Sequence, residues 1–332
     1  MENKNFDDDN QAALFDLTLY DSSNLVEPIK LLPPQRTIWT ENKANLIENY
    51  IQLFVYVTKH GTYIDGFAGP QEPDKPEMWA ANLVLKSQPC RMNKFYLFDA
   101  VKTQYKALKQ LKDEWDARTL TDNQGRKVYR KIQVERGDFN KLIHKLLSSK
   151  VIGQREATFC LLDQRTFECE WSTVQALAKY REPGYRKIEL FYFLPNSWQD
   201  RALAALKRNP HKAQLWWGRD DWEQLREMGS FQRQQIFCER FRDELGYKYV
   251  NPHPIYQREK GGGQVMYYMI HATDHEEAPV LMRRAYNKAV CVPPPDQRDL
   301  PFNGSPSSNS PANRRRAPGY KPIGRINASP SL

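Results

Sequence analysis

The sequence predicts an α/β domain in which a doubly wound, mostly parallel sheet carries helices on both faces. Two observations predict it. Five short segments are almost continuously apolar, as strands buried on both faces are, and they alternate with helical patterns. After the fifth segment the pattern changes to helices and then to two strands around the glycines at 261–263, which predicts a closing antiparallel hairpin.

Each element has its own signal. The first helix, over 39–58, has apolar residues at Ile47, Ile51, Phe54 and Val55, and this 3.6-residue period predicts one buried face. The predicted strands of the parallel part are 62–65, 94–99, 131–134, 157–162 and 188–194, and helices are predicted at 78–86, at 102–118 and around 142–147. The later elements are helices within 211–246, strands at 247–257 and 265–273, and a last helix at 277–289.

The two ends of the chain differ from the body in composition. Residues 1–35 hold two Lys and seven acidic residues, which predicts an acidic, poorly ordered lead. Residues 291–332 hold nine of the 22 prolines and six Lys and Arg, which predicts a disordered basic tail. The net charge is +9, and the body over 36–290 carries +10 once both ends are subtracted. We therefore expect a polyanionic partner for the body.

Composition also argues against several classes of protein. No apolar run approaches the ~20 residues that a membrane-spanning helix needs, and the first residues are acidic rather than basic and apolar. We expect a soluble, cytoplasmic protein without a membrane partner. The five cysteines are scattered and form no Cys-x-x-Cys pair, so neither a disulfide framework nor a zinc site is indicated. Cys160 lies inside an apolar strand, where a thiol is buried and inert.

Acidic residues stand at the ends of four predicted strands: Asp65, Asp99, Asp138 and Asp163. Open parallel sheets bind ligands beyond the carboxyl ends of their strands. The small residues within 66–70 let the backbone approach a ligand, or form a tight turn without one. Asp99 stands where an acid bonds ribose hydroxyls, although a solvated strand end has the same appearance. Asp138 suits an exocyclic amine, a helix N-cap, or both.

Other motifs weigh less. The sequence contains no P-loop motif and no complete Gly-x-Gly-x-x-Gly fingerprint, which disfavours an NTPase and a dinucleotide enzyme. His271 and His275 have a spacing that could ligate a metal, but they straddle a strand end without an evident third ligand, so we expect a structural role or a place at a pocket rim. Trp216, Trp217 and Trp222 either stack on bases or form the aromatic core of a helical insertion.

Several of these segments together resemble the three-Cys-motif partner family, whose members share the Rossmann-like fold of S-adenosylmethionine-dependent methyltransferases. The resemblance spans about residues 36–290. It rests on YIDGFAGP at 63–70, FYLFDA at 95–100, RGDFN at 136–140, FCLLDQ at 159–164 and YYMIHATDH at 267–275. It implies S-adenosyl-L-methionine as cofactor, a winged-helix-like insertion at about 197–250, a nucleic-acid partner, and association with a separate three-Cys-motif protein.

Carried over residue by residue, the resemblance also implies a site. The methionine end of the cofactor would lie against Asp65, Gly66, Phe67, Ala68, Gly69 and Pro70. Asp99 would hold the ribose and Asp138 would face the adenine. Asp163 would orient a target amine and Phe167 would stack on the base, which makes these two the candidate catalytic residues.

Two segments depart from the family pattern, and one of them has Gln71 where the family commonly has glycine. Family members have Asp-Pro-Phe-Gly where this chain has Asp163-Gln164-Arg165-Thr166-Phe167. The strand-end acids, the basic body and the resemblance together lead us to expect methylation of an amine on nucleic acid. The altered segment after Asp163 favours the alternative, a non-catalytic protein of the same fold that binds nucleic acid or a partner protein.

Overall fold

A computed structural model describes most of the predicted body. The described residues are 43–88, 91–121, 125–165, 167–196, 203, 210–256 and 265–290. The predicted lead over 1–35, the predicted tail over 291–332 and the glycines at 261–263 lie outside them. No helix in the described ranges has the length and apolar character needed to cross a membrane.

One seven-stranded sheet forms the centre of the described structure. Its strands are β1 Gly61–Asp65, β2 Met92–Asp99, β5 Lys131–Arg136, β6 Thr158–Leu162, β7 Glu189–Pro195, β8 Tyr249–Tyr256 and β9 Val265–Thr273, and a separate ribbon pairs β3 Leu120–Thr121 with β4 Lys127–Val128. The order across the sheet is β5-β2-β1-β6-β7-β9-β8. The first five strands of this order pair in parallel, and β9 is antiparallel to both β7 and β8. The predicted mostly parallel sheet with a C-terminal antiparallel hairpin is therefore confirmed.

Helices cover both faces of this sheet. Those in the described ranges are α1 Lys43–Thr58, α2 Ala80–Lys86, α3 Lys102–Asp116, α4 Phe139–Ser148, α5 Trp171–Ala178, α6 Pro210–Trp217, α7 Ser230–Asp243 and α8 Ala278–Val290. Because successive strand residues point to opposite faces, Tyr63 packs into one core with α1, α2, α3 and α8, while Ile64 packs into a second core with α4, α5, α6 and α7. The sheet is thus doubly wound, as the apolar strands predict.

A buried carboxylate fixes α1 on the sheet. The Tyr50 hydroxyl of α1 donates to Oε1 of Glu189 on β7, and Nε2 of His271 on β9 lies 2.9 Å from the same oxygen. The Thr273 hydroxyl donates to Oε2 at 2.9 Å. Burial and the neighbouring Glu189 hold the pKa of Tyr50 well above its usual range, so the phenol keeps the proton that it donates. This role for His271 agrees with the structural interpretation of the sequence.

The strand β8 forms one edge of the sheet and contains two prolines. Pro252 lies opposite Ile270 and Pro254 lies opposite Tyr268 on β9. Since a proline nitrogen carries no hydrogen, it can occupy only the side of the strand that does not donate to its partner. The two prolines are two residues apart, so both nitrogen atoms lie on the open side of β8.

The described part of the predicted insertion at 197–250 packs into the main core. Trp216 and Trp217 are fully buried and Trp222 is 2% exposed. The rings of Trp216 and Trp217 lie 5.0 and 5.4 Å from the ring of Phe237 on α7. The aromatic-core interpretation is confirmed, and base stacking by these three rings is wrong because no base can reach them. Recognition of nucleic acid by the insertion stays a prediction.

Arg240 on α7 links this region to α5 by stacking and charge. Its guanidinium lies between two indoles, 3.9 Å from the Trp171 ring centroid and 4.1 Å from that of Trp217. It donates to both Glu244 carboxylate oxygens, at 2.6 and 3.0 Å, and to the Trp217 carbonyl at 2.5 Å. Although burial opposes ionisation, Arg240 holds the pKa of Glu244 below its usual value. The guanidinium is therefore paired, stacked and almost fully buried.

We expect Arg240→Met to lower the free energy of unfolding by about 3 kcal/mol, because it removes a buried charge partner from Glu244 and the cation–π contacts with both indoles. Arg219 also contacts Glu244, but its side chain is half exposed. Arg219→Met should therefore cost less than about 1 kcal/mol. Chemical denaturation of both variants measures the difference, and equal losses would contradict this account of Arg240.

Candidate active site

The four parallel strands at one side of the sheet bring the predicted acids together. Asp65 and Asp99 are the last residues of β1 and β2, and Asp163 follows β6 directly. Asp138 precedes α4, one residue after Gly137. Since β5, β2, β1 and β6 are neighbours and parallel, all four acids lie at the same edge of the sheet. The structure therefore assembles every acid that the sequence singled out.

The turn after β1 fits closely around the end of β2. The Gly69 N–H donates to Oδ2 of Asp99 at 3.0 Å. A Cβ at Gly69 would lie 2.6 Å from that oxygen and would collide with the Cβ of Gln104, while a Cβ at Gly66 would lie 2.8 Å from the Phe139 ring. Both glycines are required by close packing, and the Trp79 indole N–H fixes the turn by donating to the Ala68 carbonyl at 2.6 Å.

A cavity of about 370 Å³, here called the nucleoside cavity, opens above this turn. Most of the predicted site residues line it: Gly66, Phe67, Gly69, Asp99, Asp138, Asp163 and Phe167. A smaller cavity of about 150 Å³, here called the tail cavity, is lined by Asp65 and Ala68 and also by Lys43, Trp79 and Tyr267. Phe67, Gly69, Gln71 and Asp163 line both cavities. The two cavities are thus adjacent parts of one site along the strand ends.

The Asp65 carboxylate is buried, and both of its oxygens accept hydrogen bonds from neighbouring residues in the chain. The Tyr63 hydroxyl donates to Oδ2 at 2.9 Å and the Phe67 N–H donates to Oδ1 at 3.1 Å. Burial raises the pKa of Asp65 to about 7, and the carboxylate of Asp163 adds to this rise while the Phe67 N–H opposes it. A cation placed in the tail cavity would favour the ionised form of Asp65.

Asp99 is held at the other end of the turn. Besides the Gly69 contact, its Oδ1 accepts from the Val101 N–H at 2.8 Å. Burial raises the pKa of Asp99, while the Val101 and Gly69 N–H groups and the charge of Arg165 lower it. Each carboxylate oxygen has two acceptor sites, so both oxygens retain capacity for a hydroxyl donor from a ligand in the nucleoside cavity.

Asp138 caps α4 and lines the nucleoside cavity. Its Oδ1 accepts from the Asn140 N–H at 3.0 Å, so the expected N-cap is present. The carboxylate is exposed to the cavity, and the next residue, Phe139, places its ring 5.8 Å from that of Phe67. The capping interpretation is therefore confirmed and Asp138 also faces the cavity, while its contact with an exocyclic amine stays a prediction.

Both oxygens of Asp163 contact a residue that the sequence analysis did not single out. The Lys43 ammonium lies 2.9 Å from Oδ1 and 2.7 Å from Oδ2. Only 12% of the Lys43 side chain and 13% of the Asp163 side chain are exposed. The ammonium also lies 5.0 Å from the centre of the Phe193 ring and 5.5 Å from that of Tyr267. The predicted amine-orienting carboxylate therefore already holds an amine of this chain.

The departure from the family pattern after Asp163 has a structural explanation at Gln164. Its side chain is fully buried, donates to the Phe193 carbonyl at 3.2 Å and accepts from the Cys169 N–H at 3.0 Å. The amide thus fixes the segment where the family has a proline. Arg165 is exposed and lines the nucleoside cavity.

Phe167, the second candidate catalytic residue, is mostly covered by protein. Its ring is 5% exposed and lies edge-on to Trp216, with 4.5 Å between ring centroids. It lines the nucleoside cavity together with Lys212 and Leu215 of α6. Stacking of Phe167 on a base stays a prediction, and α6 is a side of the site that the sequence did not indicate.

The remaining sequence candidates have structural roles. Cys160 is fully buried and burial raises its thiol pKa well above the usual range, which confirms the inert interpretation. His275 lines a third cavity beside Glu189 and Thr273, as a pocket-rim residue would. Within the ranges that the structure describes, no group of three or more His, Cys, Asp and Glu is arranged to hold a metal ion.

We expect Asp65→Asn to remove the part of the pH dependence of stability that ionisation of Asp65 causes. Since the folded pKa of about 7 exceeds the unfolded value of 3.8, the folded state binds more protons in between, and the wild-type protein loses stability as the pH rises from about 4 to about 7. The ionised Asp65 then costs on the order of 4 kcal/mol above pH 7. The variant should gain relative stability over this range in denaturation at pH 4 to 8, whereas Asp113→Asn at an exposed position should not. A constant difference would contradict the burial argument.

Comparison with known proteins gives matches among solved structures alone. No family model and no curated protein matches the sequence. The methyltransferase domain of bacterial CtHen1-C is 12% identical, with 69% of this chain and 97% of that chain covered and a TM-score of 0.35. Trm1 from Pyrococcus horikoshii, solved in complex with S-adenosyl-L-methionine, is 9% identical, with 75% and 58% covered and a TM-score of 0.36. A similarity this distant assigns neither an activity nor a substrate to this chain.

Proposed function

We propose that this protein is an S-adenosylmethionine-dependent methyltransferase. The observation that carries the proposal is the continuous site at the carboxyl ends of β1, β2 and β6, where a nucleoside-sized cavity adjoins a smaller charged one across the turn at 66–70. In open parallel sheets this edge is the ligand-binding edge. A nucleoside joined to an amino acid fits two such cavities in series.

The nucleoside cavity has the groups that an adenosine needs. Asp99 would accept from the ribose hydroxyls and Asp138 from the exocyclic amine of the adenine, while Phe139 and Val101 supply apolar surface. Gly69 keeps the backbone close to Asp99, where any side chain would fill space. The residues present therefore fit the proposed cofactor at its nucleoside end.

The tail cavity fits a cationic ligand. Asp65, Glu72 and Asp163 line it. Among the described residues that line it Lys43 is the single cation, so this lining carries an excess of negative charge when the acids are ionised. S-Adenosyl-L-methionine supplies an electrophilic methyl group on a positively charged sulfur. Asp65, whose pKa is raised by burial, would lose its proton when a cation binds beside it. Asp163 lines both cavities and is the candidate to orient an acceptor amine.

Nucleic acid is the proposed methyl acceptor, and the support is one basic edge of the sheet. Residues 102–131 contain nine Lys and Arg and four acids, so they carry about half of the net charge of the chain. Lys102, Lys106, Lys109, Arg118, Arg126, Lys127 and Lys131 are exposed there. Tyr129 is 83% exposed among them. Spaced cations with an exposed aromatic ring suit a phosphate backbone and its bases.

Membership of the three-Cys-motif partner family, and association with a separate three-Cys-motif protein, are proposed on the sequence resemblance alone. A second candidate function is a non-catalytic protein of the same fold that binds nucleic acid or a partner protein. The ion pair between Lys43 and Asp163 favours it, because both oxygens of the proposed amine-orienting residue are engaged. Methyl transfer to nucleic acid that is lost in Asp163→Asn would exclude this candidate.

We expect the wild-type protein to bind S-adenosylmethionine in a calorimetric titration and Asp99→Ala to bind it roughly 10- to 100-fold more weakly, since a charge-assisted contact to the ribose is lost. Gly69→Ala should abolish binding, because its Cβ fills space beside Asp99. Gly153→Ala is the matched control, since its Cβ would meet nothing closer than 3.8 Å. Failure of the wild type to bind would sink the proposed function.

The basic edge should carry most of the affinity for nucleic acid. We expect replacement of Lys106, Lys109 and Lys127 by Glu to weaken binding of a single-stranded oligonucleotide at least tenfold and to make its salt dependence shallower by about 2 in the log–log slope. The control replaces Lys59, Lys86 and Lys288, which are exposed at other positions. Fluorescence anisotropy over a salt series measures both quantities, and equal effects of the two triple variants would refute a specific basic edge.

A further inference from the structure

The tail cavity contains one positive group among several negative ones. Its lining includes the carboxylates of Asp65, Glu72 and Asp163, and Lys43 is the single cation that the described part of the chain contributes to it. Lys43 is held at both ends, because its backbone belongs to α1 and its ammonium pairs with Asp163. A ligand with one carboxylate that enters this cavity meets one ammonium that can pair with it.

Within the described residues, the hydrogen bonds to Asp163 orient the Lys43 ammonium without using all three of its donors. Two carboxylate oxygens of Asp163 accept from it, at 2.9 and 2.7 Å, and an ammonium has three donors. The rings of Phe193 and Tyr267 lie 5.0 and 5.5 Å away and favour a cation without accepting a conventional hydrogen bond. The remaining donor capacity lies at the tail cavity, which Lys43 lines.

We propose that Lys43 binds the carboxylate of the cofactor's amino-acid end, with Asp163 as the positioning residue that holds the Lys43 ammonium in place. The inference rests on the proposed function, since it assigns one contact of that cofactor. The amino-acid end carries one ammonium and one carboxylate. Asp65 suits the ammonium. The carboxylate needs a cation to avoid facing three acids without compensation, and Lys43 is the cation that the described lining offers.

Two other roles for Lys43 are distinguishable from this one. If the ion pair with Asp163 only stabilises the fold, removal of Lys43 lowers the affinity for every ligand by the same factor. If Lys43 only blocks an acceptor amine, its removal raises methyl transfer and leaves the recognition of the cofactor unchanged. The proposal requires instead that Lys43 discriminates between ligands with and without the carboxylate.

The experiment titrates the full chain with S-adenosylmethionine and with decarboxylated S-adenosylmethionine, which lacks the carboxylate alone. We expect the wild type to prefer the carboxylate-bearing ligand by about 10- to 100-fold, the range of a charge-assisted contact. In Lys43→Met the preference should fall to within about threefold, with the affinity for the decarboxylated ligand almost unchanged. Lys43→Arg should keep part of the preference, and Asp163→Asn should reduce it because the ammonium loses its orientation.

Lys59→Met, at the other end of α1, is the matched control and should leave the preference at its wild-type value. Thermal unfolding checks that each variant folds, and Lys43→Gln replaces Lys43→Met if the latter does not. An unchanged preference in the Lys43 variants, or an equal loss for both ligands, would overturn the proposal. A wild type that binds neither ligand contradicts the proposed function instead, so the two failures are separate.

Discussion

The parallel pairing of β5, β2, β1 and β6 is the constraint on which the site depends. Parallel neighbours end at the same edge, so residues that are far apart in the chain arrive side by side without any direct sequence signal for the contact. The turn between them contacts both carboxylates, because the Phe67 N–H donates to Asp65 and the Gly69 N–H donates to Asp99. A change of strand order or direction would separate these carboxylates and remove the cavity above them.

This arrangement places several carboxylates close together at a partly buried edge. The groups that compensate their negative charge differ from one carboxylate to the next. Backbone N–H groups offset the cost at Asp99, and a buried hydroxyl does so at Asp65. Asp163 pairs with the Lys43 ammonium of α1. The same helix is fixed at the opposite end of the strands by the hydrogen bond from Tyr50 to Glu189. Burial still raises the pKa of Asp65 and Asp99. The strand-end edge is therefore suited to a ligand that brings positive charge.

Local sequence patterns predicted the secondary-structure elements and the residues at their ends. The strands, their order of appearance and the acids that end them follow from short apolar runs and from helices that separate them. The capping role of Asp138 follows from its place before a helix. The contact between Lys43 and Asp163 joins residues 120 positions apart, and nothing in a lysine at the start of a helix indicates its partner.

Residue types that suit two environments also limited the prediction from sequence. Three tryptophans among cations suit base stacking as well as a core, and their burial decides between the two. Gln164 stands where the family that the sequence resembles has a proline, and only the structure shows that its amide turns inward to hold the segment. In both instances the residue type allows two environments, and tertiary packing selects one.

The prolines of β8 oppose self-association of the protein through this edge of the sheet. An exposed edge strand offers a row of N–H donors on which another strand can be added, and this is a common route to aggregation. At Pro252 and Pro254 two successive donors on the open side of β8 are missing. The missing donors are a property of the covalent structure, and the Pro254 carbonyl is in addition occupied by the Tyr286 hydroxyl of α8, which donates to it at 2.7 Å.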